Sequence, residues 1–107
     1  NQYFETNMAQ QQSLIKENVR ISYRTPDMYR VIMHNDDVTT MEFVIFVLQT
    51  VFRKEPDVAV ELMLEIHTKG AAIVGIYTLD IALSKIRTTE RYAAEGGFPL
   101  RLTTEND

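Results

Sequence analysis

The sequence predicts an α+β domain in the order β-α-α-β-α-β, with helices packed on a small sheet. Three observations carry that reading: a β-rich alternating run that stops at an acidic turn, two helical stripes in succession after it, and no continuous βαβ alternation of the kind a parallel sheet needs. The alternating run starts at Met28, where Tyr29, Val31 and Met33 interleave with Arg30, Ile32 and His34, and it ends at the turn-forming Asn35-Asp36-Asp37. Thr39 and Glu42 have the spacing of a capping box, so a first helix is expected from about Thr40 to Arg53, with Met41, Val44, Ile45, Leu48, Val51 and Phe52 on one face. Pro56 suits the first turn of a second helix, whose stripe Val58, Ala59, Leu62, Met63 and Ile66 ends before Gly70, a C-cap; His67 sits in its last turn. Ala71 to Tyr77 read as a buried strand, Thr78 as an N-cap, Leu79 to about Glu95 as a third helix closed by Gly96-Gly97, and Phe98 to Thr103 as the last strand.

Residues 1–27 differ in texture. They are rich in Gln and Asn and end at Pro26, and they are expected to form a flexible N-terminal extension to a core of residues 28–107. Leu14, Ile15 and Val19 stand at helical spacing, which leaves a short helix open there, and the sequence does not settle whether Met8 is a native start.

Composition narrows the function classes. With 107 residues and 45% of them hydrophobic, the chain suits one domain with a modest core, expected to act as a monomer. Eleven Lys and Arg against fifteen Asp and Glu give a net charge of -4, which argues against nucleic acid as a partner and favours a cationic group. The absence of cysteine removes disulfides, thiolate zinc sites and thiol nucleophiles together and fits a reducing compartment. No apolar run approaches the roughly 18 residues of a membrane span, so a soluble chain with no membrane partner is expected.

Asn35, Asp36, Asp37 and His67 are the candidate polar site. A primary ammonium presents three N–H donors and one charge, and its receptor needs several acceptors, at least one of them ionised. Adjacent acids in a turn supply them; Asn35 can accept from the ammonium and donate to a following peptide carbonyl, and a neutral His67 can accept through one ring nitrogen. Taken alone, Asx residues in a turn are more often structural. Met41 and Val44, just after the turn, and Met63 and Ile66, one turn before and beside His67, would line one pocket if they are not simply core.

The run Tyr29-Arg30-Val31-Ile32-Met33-His34-Asn35-Asp36-Asp37-Val38-Thr39-Thr40-Met41-Glu42-Phe43-Val44, followed by Leu62-Met63-Leu64-Glu65-Ile66-His67-Thr68-Lys69-Gly70, closely resembles the ClpS family of protease adaptors. The likeness continues through Gly75-Ile76-Tyr77-Thr78, the region Ala82 to Lys85 and Phe98-Pro99-Leu100. The resemblance implies three antiparallel strands packed against three helices, and a non-enzymatic adaptor, without cofactor, that hands N-degron proteins beginning with Leu, Phe, Tyr or Trp to a ClpA-type or plastid ClpC-type AAA+ unfoldase and its peptidase. It implies that Asn35, Asp36 and His67 hold the substrate's α-amino group and first peptide bond, with Asp37 as a helper. Met41, Val44, Met63, Ile66 and Leu100 would form the side-chain pocket, with Thr39 and Met33 as further walls, and Asp80 and Lys85 would dock on the unfoldase. A bacterial cytoplasm is the expected location, with a plastid stroma or related organelle left open. The chain departs from the family pattern at Thr40, where Pro is frequent, at Val38, often aromatic or His, and at Asp80, often Glu.

Other readings were open to the same residues. A hydrolase would need His67 with Asp36 or Asp37 as a base pair, or His34 and His67 with acids as metal ligands, yet there is no Gly-flanked Ser, no H-E-x-x-H and no ligand-type spacing. A structural or ribosome-associated domain would fit the fold order equally well.

Overall fold

The structure, a computed structural model, describes residues 25–107. The flexible extension and short helix expected before them lie outside the described residues, as far as residue 24. Six elements follow in the predicted order: β1 (Met28–His34), α1 (Met41–Thr50), α2 (Pro56–Lys69), β2 (Ala71–Thr78), α3 (Leu79–Gly96) and β3 (Arg101–Asn106). The strands form one antiparallel sheet in the order β2-β1-β3, with α3 packed across all three of them.

β1 is the central strand, and its side chains alternate between the two faces of the sheet. Val31 and Met33 are fully buried on the helix side, where they meet Ala72 and Val74 of β2 and Leu102 of β3 in the core cluster. Burying each such side chain contributes roughly 1.5 to 3 kcal/mol. Val44, Val47, Leu48, Val51 and Phe52 from the α1 segment and Ala59, Met63 and Ile66 from α2 close the core over that face. Thr89 of α3, the buried polar residue, donates from Oγ1 to the Lys85 carbonyl at 2.9 Å, so its burial leaves no hydroxyl proton unsatisfied.

Several boundaries move, each for a visible reason. The cap of α1 is Thr40, whose Oγ1 accepts from the Phe43 amide at 3.2 Å; Thr39 is diverted to Asp36 instead. α1 ends at Thr50 rather than Arg53, since Arg53 takes a left-handed conformation (φ 56°) while Val51 and Phe52 are drawn into the core. The strand expected to be buried, β2, is an edge strand: Ala72 and Val74 face the core, but Ile73 and Ile76 are each 46% exposed. Thr78 holds the N-cap position of α3 as expected, but makes no side-chain cap bond; its hydroxyl donates to the Asp80 carboxylate at 2.7 Å.

The last strand begins at Arg101, not Phe98. The amides of Gly97 and Phe98 donate to the carbonyls of Ala94 and Ala93 and close α3 with a left-handed Gly97 (φ 76°), while the Phe98 ring packs on Phe43 with centroids 4.8 Å apart. Phe98 is therefore spent on the helix end and on packing, and the strand starts after Pro99.

Candidate functional site

Backbone register, more than any side chain, brings the predicted site together. In the β1–β2 ladder His34 lies opposite Ala71, so the turn after β1 must sit beside the end of α2, which is only one glycine away from Ala71. Gly70 makes that possible with a left-handed backbone (φ 93°), and its carbonyl accepts from the Asn35 amide at 2.9 Å. Asn35 and His67 are thereby fixed at the same end of the domain.

Asp36 organises the turn. Its Oδ1 accepts from the amides of Val38 (2.8 Å) and Thr39 (2.6 Å), and its Oδ2 accepts from the Thr39 hydroxyl (2.7 Å). Burial works against ionisation of this carboxyl, but the donors on Thr39 and Val38 outweigh it and hold the group below its ordinary range, so it is charged at neutral pH. A carboxylate offers about four lone-pair sites, and three are used, which leaves about one facing outward. The described residues supply no side-chain hydrogen bond to Asn35, Asp37 or His67.

These groups rim a recess of about 390 Å³. Asn35, Asp36, Asp37 and His67 line it, and so do Thr39, Met41, Val44, Met63 and Ile66, so nine of the eleven residues expected in the binding site share one concavity. Val44, Met63 and Ile66 are buried at its floor, and Met41 is 43% exposed at its mouth. The recess thus has an apolar floor and an acidic, hydrogen-bonding rim, which suits a ligand with a cationic head and an apolar side chain.

Met33 is fully buried and Leu100 only 6% exposed, and both belong to the core cluster; the lining of the recess does not include them. Val38 and Thr40, two of the positions at which the chain departs from the family pattern, also line it.

Asp80 and Lys85, the expected docking residues, lie five residues apart on α3. Asp80 is exposed, and the Thr78 hydroxyl lowers the pKa of its carboxyl. Lys85 is half-buried: its Nζ donates to the Val51 carbonyl at 2.8 Å, just past the end of α1, and lies 5.3 Å from the Tyr77 ring centroid and 5.9 Å from that of Phe52. It satisfies a helix-end carbonyl that would otherwise lack a donor.

His34 is not in the recess. Its Nε2 lies 2.8 Å from Thr103 Oγ1 in the sheet, and desolvation, with the charge of Arg101 added, lowers its pKa. Among the described residues no three His, Asp or Glu side chains cluster as a metal site would require, and no helix is long and apolar enough to cross a membrane.

Fold and recess define a class: small α+β domains in which an acidic turn and the end of a helix frame an apolar concavity. Comparison with known proteins narrows it. The profile of the family described as ATP-dependent Clp protease adaptor protein ClpS matches residues 24–103. The ATP-dependent Clp protease adapter protein ClpS of Acetivibrio thermocellus is 45% identical over 95 residues, covering 89% of this chain and 96% of that protein. The ClpS of Desulforapulum autotrophicum is 50% identical over 82 residues, 77% of this chain and 79% of the relative. Among solved structures, Agrobacterium tumefaciens ClpS2 bound to L-phenylalaninamide superposes with a TM-score of 0.74 at 40% identity, covering 78% of this chain and all of that one. The chain belongs to the ClpS family, the adaptors of the ATP-dependent Clp protease.

Proposed function

We propose that this chain is a non-enzymatic adaptor that binds the free α-amino group and bulky apolar first residue of N-degron substrates and delivers them to a Clp AAA+ unfoldase. The observation that carries this is the shared recess: Asn35, Asp36, Asp37 and His67 stand on the rim of the same concavity whose floor is Val44, Met63 and Ile66. The ligand of the Agrobacterium tumefaciens relative, L-phenylalaninamide, carries the three features such a recess would recognise: a free amine, an aromatic side chain and an amide.

In this reading Asp36 and Asp37 supply the negative charge for the ammonium, Asn35 accepts from it and donates to the first carbonyl, and His67 accepts through a ring nitrogen. Met41, Val44, Met63 and Ile66 enclose a Leu, Phe, Tyr or Trp side chain, with Leu100, Thr39 and Met33 as further walls. Burial of that side chain is worth roughly 1.5 to 3 kcal/mol and each charge-assisted bond roughly as much, so after association costs the dissociation constant is on the order of micromolar. An adaptor needs that range, because it must release what it carries. Asp80 and Lys85 are assigned to the unfoldase contact. The expected setting is the bacterial cytoplasm.

A fluorescence anisotropy titration with a Leu-starting peptide and its Met-starting counterpart, repeated on His67→Ala, tests the proposal. Preference for Leu that weakens on His67→Ala is expected; equal, unchanged binding of both peptides would reject it.

A further inference from the structure

A separate concavity, of about 240 Å³, opens between the end of α1 and the middle of α3. Its lining carries two cations, Arg53 and Lys85, and four hydroxyl side chains, Thr50, Ser84, Thr88 and Tyr92, but no carboxylate. It shares no lining residue with the N-terminus recess, and in a chain of net charge -4 it is the reverse of that acidic rim. Around it α3 is basic as well: between Ser84 and Tyr92, Arg87 and Arg91 accompany Lys85 against Glu90 alone.

The fold leaves these groups available. Among the described residues the hydroxyls of Thr39, Thr40, Thr68, Thr78 and Thr89 are each bonded within the chain, whereas those of Thr50, Ser84 and Thr88 have no such partner. Arg53 takes no part in the ion pairs of the described residues, both of which use Arg30. Nor does the helix end need its side chain: the amides of Val51 and Phe52 donate to the Val47 carbonyl, that of Lys54 to the Leu48 carbonyl at 2.9 Å, and Lys85 to the Val51 carbonyl at 2.8 Å. Yet Arg53 stands at a left-handed position (φ 56°), where glycine carries no steric cost. What the arginine adds there is a positive charge beside the cavity. Lys85 is held by Val51 and by the rings of Phe52 and Tyr77, and its ammonium has three donors, of which the bond to Val51 uses one.

Two cations with hydroxyl donors around them suit an anion whose oxygens face several directions. A carboxylate presents two oxygens in one plane; a phosphoryl group presents three, with up to two charges. We infer that this cavity binds a phosphoryl oxyanion, with Arg53 and Lys85 neutralising its charge and Thr50, Ser84 and Thr88 donating to its oxygens. Free pyrophosphate and the diphosphate of a nucleotide present this same chemistry. Because the groups are partly solvated and screened by salt, the dissociation constant is on the order of millimolar.

NMR titration of the full chain with sodium pyrophosphate, and separately with ADP, at constant ionic strength tests this. Saturable shifts are expected in the amides of residues 50–54 and 84–92, and whichever of the two probes binds more tightly identifies the source of the phosphoryl group. Arg53→Gly removes the guanidinium while suiting the left-handed backbone, so it should weaken binding by about tenfold with the thermal midpoint unchanged or raised. Arg87→Gln alters the net charge equally but lies outside the lining, and it should change affinity by less than about twofold. Shifts that do not saturate with either probe overturn the inference. So does equal affinity of wild type and Arg53→Gly, or an equal loss in Arg53→Gly and Arg87→Gln, which would mean diffuse attraction to a basic helix face.

Discussion

The acidic turn and the start of α3 were both expected to carry function, yet the structure uses their polar groups in different ways. In the turn, backbone register and one carboxylate, Asp36, do the structural work, and Asn35, Asp37 and His67 are left facing a recess. On α3, Lys85 is bound to the Val51 carbonyl and Asp80 to the Thr78 hydroxyl, so both side chains already have partners within the chain. A site whose scaffold and ligands are different residues can be probed without unfolding the protein; one where they coincide cannot. Variants at the two places should therefore separate binding from stability in opposite ways.

The largest expected separation lies in the turn. Asn35→Ala/Asp37→Ala should weaken binding of a Leu-starting peptide by about 10- to 100-fold, the loss of one or two charge-assisted bonds, with the thermal midpoint little changed. Calorimetry and anisotropy on the same samples check this; a fall in midpoint that tracks the lost affinity would erase the contrast.

Next comes Lys85→Met, which removes the donor to Val51 and the contacts with Phe52 and Tyr77. It should cost about 1 to 2 kcal/mol in urea unfolding while leaving peptide affinity within about twofold. Unchanged stability would show that these contacts do not hold the end of α1.

Asp36 should show both effects, with a pH signature. Its folded pKa is depressed, so its contribution to stability is complete above the ordinary carboxylate pKa of about 3.9 and is lost as pH falls through the lower folded value. Acid titration of the unfolding free energy should therefore fall less steeply below about pH 4 for Asp36→Asn than for the wild type. Parallel curves would contradict the hydrogen-bond assignment.

The smallest effect belongs to the cap. Thr40→Ala should cost about 1 kcal/mol, and Thr39→Val, which breaks the bond to Asp36, should cost binding as well.

How much of this was legible in the sequence depended on whether local spacing was enough. α2 was, from Pro56 to the glycine that ends it, because its stripe and both end signals are local. Strand order was not, since period-two patterning does not say which strand is central, and so β2 was taken as buried although Ile73 and Ile76 lie half exposed at an edge. The start of β3 was missed because Phe98 looks like a strand residue while its amide closes α3. In the site, residue types were readable, but the meeting of Asn35 with His67 follows from the pairing of His34 with Ala71, which spacing does not encode. Met33 and Leu100 show the same limit: an apolar residue near a pocket can be its wall or the core behind it, and only packing separates the two.

The account's central claim is that the recess recognises a charged amino terminus together with the side chain beside it. The most direct measurement is the affinity of the wild-type chain for one Phe-starting peptide, with the terminus free and with it acetylated. Acetylation removes the charge and two donors while leaving the aromatic side chain intact, so affinity should fall by about 100-fold or more. Equal affinity for the two forms would show that the acidic rim of Asn35, Asp36, Asp37 and His67 is not an ammonium receptor.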